Sequence, residues 1–127
     1  MVAAAIFGHQ WRNQLVEFKV DNMAVVHVLN NTYSKDLHLM HLIRVLVFLA
    51  SHYDFWFSTS HIEGKDNIFA DALSRNNLHV LFSQAPHFRH FNPPLIPPQL
   101  LSLLSDCSLA WISIDWIKLF NSTMQQL

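Results

Sequence analysis

Two aspartates, Asp21 and Asp71, stand at matching places along this chain, each beyond a run of strand-forming residues and on a short helical pattern. Carboxylates gathered at one edge of a sheet can hold a hard divalent cation, because Mg²⁺ and Mn²⁺ take oxygen ligands. On spacing alone, plainer roles compete. Asp21, directly before Asn22, can simply cap the following helix, and Asp71 can lie on a solvated helix face. Lys65 and Arg75 flank the second aspartate, and Lys35 lies in the loop after the second helical segment. These three are the candidates for phosphate contact.

The elements that must position these side chains follow from periodicity. Val2–Arg12 reads as a helix with no cap before it, so its start looks cut. Leu15–Val20 (LVEFKV) alternates and ends at Asp21, which predicts a strand. Asn22–Asn30 reads as a short helix with Met23, Val26 and Leu29, or Val25 and Leu29, inward. After the loop Asn30–Ser34, Ser34 or Asp36 can cap a long apolar helix over Leu37–Tyr53. Asp54–Ser60 predicts a second strand. A tight turn around Gly64 then leads into a helix over 67–75, capped by Asp66 or Asn67. Ile68, Phe69, Ala72 and Leu73 share one arc of that helix, predicted to pack on the sheet with Asp71 facing outward. Two strands joined by helices are parallel, and ligands of such sheets gather at the carboxyl ends of the strands. Asp21 and Asp71 are therefore expected to meet there.

At these residues a family resemblance enters. His61–Arg75 (HIEGKDNIFADALSR) resembles the end of the ribonuclease H domain in retroelement reverse transcriptases, and Val20–Val26 (VDNMAVV) resembles the strand–Asp–helix segment of the same domain. The wider wording, VDNMAVVHVLN and then SKDLHLMHLIR, is similar to DIRS-like elements, retrotransposons that carry a tyrosine recombinase. The resemblance covers roughly residues 1–84. It implies an α/β chain with an incomplete ribonuclease H-like fold: two parallel strands with helices, then a Pro-rich linker and short helices.

Such enzymes cleave RNA in RNA–DNA hybrids with about four carboxylates holding two divalent metals, Mg²⁺ or Mn²⁺, about 4 Å apart. The resemblance assigns the third and fourth acids to Asp21 and Asp71, as catalytic and metal-binding residues. The first two acids have no counterpart in this chain. Met1–Ala5 resembles the interior of the helix that bears the second, which would place that Glu upstream of Met1. Glu17 is no substitute, since its strand neighbour Phe18 is the inward residue. The chain alone is therefore expected to be inactive. The alternative is a non-catalytic, transposon-derived remnant that serves at most as a nucleic-acid or protein interaction module.

Composition bounds these readings. The 127 residues are 51% hydrophobic and 13% charged with a mean hydropathy of +0.19, which excludes disorder over most of the chain. The longest apolar run, Leu42–Ala50, is broken by Arg44 and too short for a membrane span. The N-terminus has no basic stretch before its apolar residues, so an intracellular location is expected. One cysteine, Cys107, excludes an internal disulfide framework. A net charge of −1 argues against autonomous nucleic-acid binding. His38 with His41, and His87 with His90, have metal-compatible spacing but no cysteine pair to complete a zinc site. His38 and His41 are expected to border a polar stripe, and at least one of Trp56 and Phe57 is core. The organisation expected is residues 1–84 as the partial domain, 85–98 as an extended linker without regular structure, and 99–127 as a helical tail. In that tail, helices are expected near Gln99–Leu104 and Ile114–Met124, the second capped by Ser113. The unpaired flank of Leu15–Val20 favours self-association.

Overall fold

Leu15–Val20 forms a strand, β1, whose alternation turns Val16, Phe18 and Val20 inward and leaves Leu15, Glu17 and Lys19 exposed. In this computed structural model, which describes residues 1–92, 94–106 and 114–125, β1 pairs in parallel with β2, Trp56–His61. The register sets Leu15 opposite Trp56 and Val20 opposite His61. Before β1 come α1 (Val2–Phe7) and a 3₁₀ turn over Gly8–Gln10. Between the strands lie α2 (Met23–Asn31) and α3 (Leu37–Tyr53). After β2 follow α4 (Ile68–Ser74), α5 (Leu78–Gln84), a 3₁₀ turn over Pro86–His90, α6 (Pro98–Ser105) and α7 (Ile114–Met124). The chain is thus mixed α/β, with two parallel strands in one sheet among the described residues.

Local chemistry explains most boundaries. Asn22 caps α2 by accepting from the N–H groups of Ala24 (3.0 Å) and Val25 (3.3 Å). Asp36 caps α3 through the Leu39 N–H at 2.8 Å, while the Ser34 hydroxyl accepts from the Asp36 N–H instead. Asp54 ends α3 at φ 58°, a left-handed conformation that Asp tolerates. The first helix stops at Phe7 rather than at Arg12. Gly8 sits against the Tyr53 ring, where an added Cβ would collide, and the tightened backbone after it swings Trp11 onto the aromatic core. There Trp11 meets Phe55 edge-on at 5.4 Å and Phe18 at 6.1 Å.

One hydrophobic cluster joins the two ends of the chain. Ala4 and Ala5 of α1, Leu46 and Leu49 of α3, Leu100 and Leu103 of α6 and Phe120 of α7 are buried together. Val16, Phe18 and Phe57 pack at its margin, so the inward residue of the Trp56–Phe57 pair is Phe57. His41 does not border a polar stripe. It is 3% exposed, with Nε2 3.4 Å from the Leu103 carbonyl oxygen, because α6 docks over that side of α3.

The segment after β2 departs most from expectation. Helix α4 does not lay its apolar arc on the sheet: only Ala72 is buried, and Ile68, Phe69 and Leu73 are exposed. The place beside β2 is taken by α2, whose Val26 carbonyl and Asn30 side chain bond Thr59, and α4 packs on α5 instead. The proline-rich stretch is not wholly irregular either. Pro86 opens a 3₁₀ turn, where its missing N–H removes no helical bond. The expected cap Ser113 and the lone Cys107 lie outside the described residues.

Candidate functional site

Both strands end at the same edge of the sheet, where the Ile62 N–H donates to the Val20 carbonyl at 3.0 Å. Asp21 follows β1 directly. It is exposed, and the helix cap beside it is supplied by Asn22, so capping does not account for Asp21. From β2 the chain passes through a turn closed by the Asp66 N–H on the Glu63 carbonyl (2.8 Å) and the Asn67 N–H on the same oxygen (3.1 Å). Gly64 is not required by this turn, since its φ is not positive and a Cβ there would meet nothing within 4 Å. Any small polar residue satisfies the same backbone.

Asn67 does not cap α4 with its side chain, and no side-chain bond caps that helix. Its Nδ2 instead donates to Oδ2 of Asp21 at 3.4 Å, while its carbonyl accepts the Asp71 N–H at 3.0 Å. One residue thus links the two aspartates, by side chain to the first and by main chain to the second. Asp71 is half-buried, and its Oδ1 accepts from Nε of Arg75 at 2.9 Å, a helical i,i+4 pair.

The expected phosphate contacts divide. Arg75 turns its guanidinium onto Asp71, and Lys65 turns its ammonium onto Glu63 at 2.6 Å, so both cations sit at the same edge already engaged with acids. Lys35 lies apart, exposed in the loop between α2 and α3. These exposed pairs exchange readily with solvent or a competing anion, since surface ion pairs hold little net free energy. His61 is exposed at the end of β2.

The donor set limits what the edge can hold. Among the described residues no group of three or more His, Cys, Asp or Glu side chains is arranged to take a metal ion. Asn67 meets the carboxylate of Asp21 but only the main chain of Asp71, whose carboxylate is engaged by Arg75. Asn67 was legible as a helix cap, but its reach to Asp21 depends on the strand register, which no local pattern specifies. Asn30 was legible only as the end of a helix. Its amide brackets Thr59 of β2, with Nδ2 on the Thr59 carbonyl at 2.9 Å and Oδ1 on the Thr59 N–H at 2.9 Å.

No protein-family model, curated protein or solved structure matches the chain. No helix among the described residues is long and apolar enough to cross a membrane.

Proposed function

We propose that this chain is a ribonuclease H-like fragment of a retroelement reverse transcriptase, of a class that hydrolyses the RNA strand of RNA–DNA hybrids, and that this chain alone does not cut. The observation that carries the reading is the Asn67–Asp21 bond. It ties the segment that resembles the end of such a domain to the segment that resembles its middle, at the carboxyl edge of parallel strands. Asp21 and Asp71 would hold Mg²⁺ or Mn²⁺, and a bound ion there would supply charge neutralisation at a phosphate. The chain's own residues align the partner: Lys65, Arg75 and, more distantly, Lys35 offer cations to the nucleic-acid backbone. With two of about four acids absent from the sequence, no residue among the described ones is assigned to fix an attacking water.

A second reading is a non-catalytic interaction module. It is favoured by the open face of the sheet, where Leu15 is 70% and Trp56 61% exposed side by side.

The test is a labelled RNA–DNA hybrid incubated with the chain in Mg²⁺ and in Mn²⁺, beside Asp71→Asn, with binding followed by anisotropy. Retention of the hybrid without cleavage, weakened by Lys65→Ala, is expected. Cleavage that disappears in Asp71→Asn would overturn the inactive half-site. Loss of hybrid binding altogether would leave only a protein-interaction module.

A further inference from the structure

The two strands differ in how their outer edges are finished. On β2, Asn30 occupies the edge like a short piece of strand, satisfying both main-chain groups of Thr59. On β1, no strand lies along the outer edge among the described residues. The even residues of β1 face β2, as the Gln14 and Val20 carbonyls show by accepting from the Trp56 and Ile62 N–H groups at 2.9 and 3.0 Å. By the alternation of a parallel ladder, Leu15, Glu17 and Lys19 turn their main-chain donors and acceptors outward.

We propose that this edge pairs with the same edge of a second copy of the chain, antiparallel, with Phe18 opposite Phe18 of the second copy. An antiparallel pair requires outward-facing residues to oppose one another. Several registers meet that condition, and charge separates them. Centring on Glu17 sets two glutamates face to face, and centring on Lys19 sets two lysines together and Glu17 opposite Asp21. Centring on Phe18 sets Glu17 against Lys19 of the second copy twice, once on each side of the twofold axis. Like charges directly opposite are unfavourable and opposite charges favourable. On the inner face, the same register brings Val16 against Val20 and Phe18 against its symmetry mate. All three are half-buried in the single chain, so the second copy completes their burial. The result is a four-stranded sheet, β2–β1–β1–β2, with no open β1 edge. The pairing does not depend on the chain's behaviour toward nucleic acid.

Sedimentation of the full chain over a concentration series tests this, with circular dichroism to establish that each variant is folded. Glu17 and Lys19 are exposed, so their charges can be exchanged without touching the core. A concentration-dependent dimer is expected, and Glu17→Lys or Lys19→Glu alone should lower its association constant about tenfold, since two symmetric pairs turn repulsive. An equimolar mixture of the two single variants, which restores both opposite-charge pairs, should recover association as a mixed dimer. The double exchange Glu17→Lys with Lys19→Glu should recover it within one chain. A monomer at every concentration, a dimer indifferent to the single exchanges, or no recovery on mixing would each overturn the proposed register.

Discussion

The side-chain amide of Asn67 rests against the carboxylate of Asp21, Nδ2 to Oδ2 at 3.4 Å, across a gap in sequence that spans both central helices and β2. The contact joins the two chemistry-bearing segments through an uncharged donor on a carboxylate. Asn67→Asp replaces that donor with a third carboxylate in nearly the same volume. Mn²⁺ binding, followed by water-proton relaxation, is expected to tighten about tenfold in Asn67→Asp, because site affinity for hard cations rises with ligand charge. Without the ion, the variant should lose about 0.5 kcal/mol from carboxylate repulsion at this exposed site. Unchanged Mn²⁺ affinity would mean that Asp21 and Asp71 take no cation between them.

The Asn30–Thr59 bracket makes a sharper claim about stability. Thr59 is 6% exposed and places its N–H, carbonyl and hydroxyl on Asn30 or α2: the hydroxyl lies 2.6 Å from Asn30 Oδ1 and 3.2 Å from the Val26 carbonyl. Removing the amide strands main-chain groups at a site that water reaches poorly. Asn30→Ala is expected to cost about 2 kcal/mol, read as a lower urea midpoint at unchanged slope. Asn30→Asp keeps the acceptor and loses the donor to the Thr59 carbonyl, so it should fall between. A loss below about 0.5 kcal/mol in Asn30→Ala would show that solvent replaces the bracket.

Much of the secondary structure was legible locally, and the reason is visible in particular residues. The alternation of LVEFKV set β1 residue for residue, and the Asp36 cap and apolar density set α3 from Leu37 to Tyr53. The parallel pairing followed from the intervening helices. What could not be read was which apolar surface meets which. The arc of α4 was assigned to the sheet because amphipathicity tells that a face is buried, not by what. The position of α2 along β2 is fixed by three side-chain bonds between residues nearly thirty apart in sequence (Asn30 and Thr59). The same limit applies to His41, whose burial depends on α6 arriving from the far end of the chain. Within the candidate site, Asp21 and Asp71 were nameable from their motifs, whereas the Asn67 link needed the three-dimensional turn; the Asp71–Arg75 pair is local, at i,i+4 helical spacing.

Thr32 closes α2 in the left-handed region, at φ 51° and ψ 33°, with its N–H on the Leu29 carbonyl. A β-branched residue is strained there, by about 1–2 kcal/mol relative to glycine. Its hydroxyl donates to the Asn31 carbonyl at 2.8 Å, an exposed bond that offsets little of that strain. Thr32→Gly adds freedom to the unfolded chain, which takes back part of the gain. The net expectation is a stabilisation of about 0.5–1 kcal/mol, seen as a Tm higher by about 3 °C. A lower Tm would mean that the hydroxyl bond outweighs the backbone strain.

Leu100 decides whether the tail helices are part of the same cooperative unit as the sheet. It is fully buried, in one cluster with Leu49 of α3 and Ala4 of α1, although it lies beyond the proline-rich stretch. If α6 folds and unfolds with the rest, Leu100→Ala removes buried methyl groups from the common core and leaves a cavity, at a cost of about 3 kcal/mol. That is a large share of the stability of a small domain. In a Trp111→Phe/Trp116→Phe background, where fluorescence reports Trp11 and Trp56 around β1 and β2, the loss should then appear equally in fluorescence and in helical circular dichroism, with coincident transitions. If α6 instead docks loosely, the fluorescence transition stays where it was and only part of the helical signal melts early. Coincident, shifted transitions are expected, because Leu100, Leu103 and Phe120 supply apolar area that α1 and α3 would otherwise expose to water.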